Sequence, residues 1–134
     1  MNRLTLKATA AAGLSHQDIG KFINATRPHC RRGGVTGLMI REEDAVHFLL
    51  EGPEAELQEV TSRIRASGLF GQVLTAGEMP IRFRAFDRIC LAYAKPGNLP
   101  EDMRREITML TGLEFGLGSG LTFEQEFGPP ALAA

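Results

Sequence analysis

Residues 3–9 run Arg-Leu-Thr-Leu-Lys-Ala-Thr, so Leu4, Leu6 and Ala8 share one face at the two-residue period of a half-buried strand. The rhythm then changes. Ser15 stands three residues before Asp18 in a capping-box arrangement, and Ile19, Phe22 and Ile23 follow at helical spacing. Pro28 lacks an N–H and clashes with the preceding turn, which predicts fraying or a kink between Thr26 and Arg32 before Gly33-Gly34 ends the helix. Residues 35–41 read as a second strand, apolar on both faces, and residues 45–51 as a third. The acidic turn Glu42-Glu43-Asp44 is too short for anything but an antiparallel pair. Pro53 suits the first position of a second helix, Glu54 and Glu56 its positive end, and Leu57, Val60 and Ile64 its apolar stripe, with Gly68 as the stop. Residues 73–76 and 86–93 predict the fourth and fifth strands, and residues 100–111 a third helix with Met103, Ile107 and Leu110 along one side.

The predicted order is β-α-β-β-α-β-β, an α+β ferredoxin-like layout with two helices on one face of a mixed sheet. It places one domain at residues 1–95 and a C-terminal helical extension and tail at 96–134, irregular from about Gly116 onward. At 134 residues, 43% hydrophobic and 23% charged, the chain has apolar material for one core. A formal net charge of −1 gives no electrostatic basis for binding nucleic acid or an anionic membrane. No apolar run approaches the roughly 20 residues of a spanning helix. The opening Met-Asn-Arg-Leu-Thr-Leu-Lys lacks the apolar region of a signal peptide. Cys30 and Cys90 make neither a disulfide framework nor a zinc site, so a cytoplasmic protein with free thiols is expected.

Three segments carry a resemblance: Gly-Val-Thr-Gly-Leu at 34–38, Glu51-Gly52-Pro53, and Pro80-Ile81 leading through Arg84-Ala85-Phe86 into the last strand. In this order and spacing, residues 3–94 resemble the BLUF family, the bacterial flavin-based blue-light sensors. The resemblance implies a flavin between the two helices, a photoactive tyrosine on the first strand and a glutamine on the third. By register those positions fall on Leu6 and Phe48, which offer no redox-active ring and no amide. The family's flavin-binding asparagine falls on Cys30, beside His29, which agrees with a histidine some members place there. The tryptophan-or-methionine region of the last strand falls on Ile89–Leu91, and the single tyrosine, Tyr93, lies at the far end of that strand. The chain is thus expected to be a degenerate member whose pocket is partly filled by side chains.

Other chemistry is sparse. His16, His29 and His47 show no metal-like spacing, and no metal site is expected. His16 reads as a solvated residue of the first helical turn and His47 as a surface or interface residue. Cys30 stands near Arg27, Arg31 and Arg32, which could depress its pKa, although a small helix-end residue is the plainer reading. Arg82, Arg84 and Arg88, with Arg104 and Arg105, read as a solvated edge in preference to a phosphate patch. The Gly116–Gly120 segment has no following Lys-Ser/Thr and reads as a connection.

The expected function is a regulatory module that signals through protein–protein contacts, with no enzymatic activity and no cofactor. In sensors of this family the output passes through the sheet and the C-terminal helices, often at a dimer interface. Met103, Ile107, Leu110, Leu113, Phe115, Leu117 and Phe123 exceed what a surface helix needs; they would cover the open sheet face or bury against a second subunit, and a homodimer or a regulatory protein partner is expected. The alternative is a sensor that holds FAD or another planar ligand between the two helices, lined by Ile19, Ile23, Asn24, His29, Cys30, Ile64 and Phe70. A small hydrolase of the acylphosphatase type is a minor alternative, weakened by the lack of arginine or lysine in residues 8–14.

Overall fold

The computed structural model describes residues 1–113. Its elements are β1 (Asn2–Ala10), α1 (His16–Gly33), β2 (Thr36–Glu42), β3 (Ala45–Gly52), α2 (Glu54–Ala66), β4 (Phe70–Pro80), β5 (Cys90–Ala94) and α3 (Glu101–Thr111). The described residues divide into two compact units, Met1–Tyr93 and a second that begins at Ala94. The first holds the expected α+β fold, a mixed five-stranded sheet in the order β4-β1-β3-β2-β5. β1 pairs antiparallel with β3 and β4, and β2 pairs antiparallel with β3. The two-residue period of β1 sends Leu4, Leu6, Ala8 and Ala10 to the face where α1 and α2 contribute Ile19, Phe22, Ile23, Leu57, Val60 and Ile64. β3 adds Val46, Phe48 and Leu50 to this core, and β2 adds Met39.

α1 departs from expectation at Pro28, where it neither frays nor kinks to an end. The helix runs through the proline to Gly33. Pro28 and Asn24 both lie on the exposed side of the helix, so the carbonyl that loses its N–H partner faces water and the cost falls. At the N-terminus the capping box forms as predicted, with Ser15 and Asp18 bonding each other's backbone N–H. At the C-terminus Gly34 adopts φ 70°, the left-handed geometry that only glycine takes without strain, and Val35 N–H donates to the Cys30 carbonyl at 2.8 Å. Gly37, at φ 152°, has a second reason to be glycine. A Cβ there would strike the carbonyl oxygen of Leu49 on the neighbouring strand.

Two strands differ in extent from the sequence reading. β4 is longer than residues 73–76, because it is an edge strand whose pairing rests on backbone bonds to β1 and leaves most of its side chains exposed. Its register shifts opposite Lys7–Thr9, next to Gln72 at φ 52°, the signature of a bulge. β5 starts only at Cys90 instead of residue 86, since the segment before it bonds elsewhere. In the second unit α3 forms over nearly the expected span and closes on Gly112 at φ 77°. Phe115, Leu117, Phe123 and the Gly116–Gly120 segment lie outside the described residues.

Candidate functional site

The centre of the sheet is a row of facing side chains beneath the helices. Leu6 on β1 pairs with Phe48 on β3, and Phe48 pairs with Met39 on β2. All three are 0% exposed. The Phe70 ring meets Phe48 edge-on with centroids 5.4 Å apart, and Phe22 from α1 meets Phe70 edge-on at 5.5 Å. Such geometry sets the positive ring edge against the negative face of its neighbour. Ile19, Ile23, Cys30, Ile64 and Phe70, expected as ligand-lining residues, all belong to this same buried cluster. Asn24 does not join them, since it is exposed on the outer side of α1.

His29 is half-buried near the end of α1. A guanidinium can only donate, so the 2.6 Å contact of Arg32 Nη2 with His29 Nδ1 places the ring proton on Nε2. Loss of hydration and the charges of Arg63 and Arg32 hold this imidazole below its ordinary pKa, opposed by Glu59. At neutral pH it is a neutral, acceptor-engaged ring.

Cys30 is 1% exposed. The alternative of an arginine-depressed thiol is not what the structure gives, and the reading as a helix-end residue stands. Burial pushes the thiol up to about 11, and the adjacent Cys90 thiol adds to the effect. Arg27 turns its guanidinium to the carbonyls of Cys90 and Leu91, at 3.2 and 3.5 Å, and Arg32 is engaged with His29. Cys90 Sγ in turn donates to the Arg27 carbonyl at 3.8 Å. Beside it Leu91 is buried at φ 54°, an uncommon geometry for a non-glycine residue.

The sequence reading missed the role of Glu51. Its carboxylate is 0% exposed and pairs with Arg3 Nε at 2.9 Å. The same carboxylate accepts from the backbone N–H groups of Ala85 and Phe86, at 3.0 and 2.9 Å. Arg84 donates to the Glu51 carbonyl at 3.0 Å and to Thr36 Oγ1 at 2.9 Å. Thus Glu51 ties the end of β3 to the segment that leads into β5. Arg84 is structural, neither a solvated edge residue nor part of a phosphate patch, and Arg105 pairs with Glu101 on its own helix. The signal was present in the spacing of Glu51 and Arg84-Ala85-Phe86, but a backbone-bonding carboxylate leaves no residue-type signature.

His16 is exposed in the first turn of α1, as expected, and its Nδ1 also lies 2.8 Å from the hydroxyl of Tyr93. His47 is buried in the face of the sheet opposite α1 and α2, paired across strands with Lys7. Burial, with a contribution from Lys7, lowers its pKa. Among the described residues no cluster of three His, Cys, Asp or Glu could hold a metal ion, and no helix is long and apolar enough to cross a membrane.

The sequence matches the family model for BLUF, sensors of blue-light using FAD, over residues 1–92. No curated relative matches the chain. Among solved structures, a BLUF protein named BlrB in its dark state is similar, with TM-score 0.66 and 22% identity over 83% of this chain and 78% of that one. The photo-activated state of BlsA gives TM-score 0.67 and 16% identity over 82% and 79%. A bacterial light-regulated adenylyl cyclase gives TM-score 0.68 and 18% identity over 81% of this chain. The match spans only 32% of that cyclase.

Proposed function

Because the chain belongs to the BLUF family, we propose that it is a regulatory module that keeps the scaffold of a blue-light sensor, has lost the photochemistry, and signals through protein–protein contacts. One observation carries this reading. Leu6 and Phe48 are paired across the centre of the sheet, fully buried, with Phe70 edge-on to Phe48 and Phe22 edge-on to Phe70. The residues there do not fit a flavin held by the family's contacts. Phe48 supplies no amide, Leu6 no phenol, and Cys30 only a protonated thiol. The rings of Phe22, Phe70 and Phe48 pack edge-on in this buried cluster, which supports a pocket partly filled by side chains. Leu6 and Phe48 carry no group that could pass an electron or a proton to a flavin, which supports the loss of photochemistry.

The light-regulated adenylyl cyclase supports the regulatory half of the reading, since the region similar to this chain is about a third of that protein. A module of this kind acts on an effector or on a second copy of itself.

The test is the absorbance spectrum of the purified protein. Colourless protein that takes up no added FAD is expected, with no band near roughly 450 nm where bound flavins absorb. Yellow protein whose band does not shift under blue light would support a flavin-holding sensor in place of an empty module. A band that shifts to the red on illumination would overturn the loss of photochemistry altogether.

A further inference from the structure

The fold brings the chain's two cysteines to one place. Cys30 lies in the last turns of α1, and Cys90 opens β5. Cys90 Sγ sits 3.8 Å from the carbonyl oxygen of Arg27, one turn before Cys30 on the same side of the helix. Cys30 lies in the buried core and Cys90 packs against it, close enough to raise the Cys30 pKa, and neither is in a disulfide. Arg27 donates to the carbonyls of both Cys90 and Leu91, so the backbone of β5 is held against this turn of α1. The environments of the two thiols differ. Cys90 is half-buried, whereas Cys30 is 1% exposed and stays protonated at neutral pH.

We propose that Cys30 and Cys90 form a reversible disulfide when the protein meets a hydroperoxide, and that this bond fastens β5 to the C-terminal end of α1. The difference in exposure sets the order of steps. Cys90 attacks one peroxide oxygen, an S–O bond forms, the O–O bond breaks, and the leaving oxygen departs as water with the thiol proton. The Cys90 sulfenic acid then meets the Cys30 sulfur beside it. The S–S bond forms, the S–O bond breaks, and the departing hydroxide takes the Cys30 proton as a second water. Two thiols and one hydrogen peroxide give one disulfide and two waters, with two electrons passing from sulfur to oxygen. A small thiol reductant reverses the bond by exchange. Burial of Cys30 keeps it from reacting first and reserves it as the resolving partner. The use of this bond as a signal rests on the regulatory-module reading, but its formation does not.

The experiment treats the reduced full chain with equimolar hydrogen peroxide. The expected result is an intact mass lower by two hydrogens, a non-reduced peptide map joining Cys30 to Cys90 within one chain, and reversal by dithiothreitol. In Cys30→Ser a dimedone adduct is expected on Cys90, and in Cys90→Ser an unmodified Cys30. Dimedone on Cys30, oxidation of Cys90 to the sulfinic acid without a bridge, or a bridge between two chains would each overturn the proposal. Amide hydrogen exchange in β5 should slow roughly tenfold or more on oxidation, as a crosslink suppresses local opening. A bridge with unchanged exchange removes the switch. A photoactive, yellow protein that still forms the bridge would instead overturn the module reading and leave this one standing.

Discussion

Glu51 shows how much of the structure depends on single polar side chains. Its buried carboxylate balances Arg3 and accepts two backbone N–H groups from the segment before β5. Removing one member of a buried pair strands the other, so Glu51→Ala is expected to cost about 3–5 kcal/mol. A urea titration with an unchanged slope would measure it. His47 gives a pH dependence of known sign. Its folded pKa lies below the unfolded value near 6.5, so the unfolded chain binds the proton more readily in the interval between the two. His29 has a shift of the same direction. Stability contributed by both rings is present above pH 6.5 and is lost as the pH falls through their folded values. Thermal melts over this range should show the fall, and His47→Gln should reduce it. At this scale the sequence identified which residue types stand where. It did not reveal that Cys30 would be buried beside Cys90, which raises the thiol's pKa, while Arg27 bonds the carbonyls of β5.

Among the elements, β3 and β2 carry the most demanding fit. Phe48 touches β1 and β2 across the sheet and Phe70 edge-on, so Phe48→Ala is expected to cost about 3–5 kcal/mol, the range for truncating a buried aromatic residue. Gly37→Ala would drive a Cβ against the Leu49 carbonyl in the paired strand and should cost roughly 2–4 kcal/mol. Both are read from denaturant midpoints. The helices and β1–β3 were legible because burial follows hydrophobicity along them, alternating toward the end of β1 and continuous through most of β2 and β3. β4 and β5 were less so. β4 pairs through backbone groups with exposed side chains, and the residues before β5 spend their N–H groups on Glu51 instead of a neighbouring strand. Pro28 was misjudged because a proline's cost depends on which way the freed carbonyl faces, and that depends on the helix's position in the fold.

For the whole molecule, the proposed loss of light sensing predicts identical spectra before and after blue illumination, even in protein incubated with FAD. The proposed homodimer is checked by light scattering at tens of micromolar, where a monomeric mass would exclude it. Met103, Leu110 and Leu113 are half-buried and Ile107 is buried, whereas Met109 is exposed. These side chains are the first to substitute if a dimer is found.

The sequence by itself determined the family, the order of elements and the absence of a phenol on the first strand and an amide on the third. Those properties are written in residue types and spacings, and no packing can restore a missing functional group. Only the tertiary structure decided that Leu6 and Phe48 meet, that three phenylalanine rings interlock, that Glu51 pins the approach to β5, and that Cys30 and Cys90 become neighbours. Each is a contact between residues distant along the chain. Such contacts are set by strand register and helix placement, which depend on the burial of the whole core and not on any local pattern.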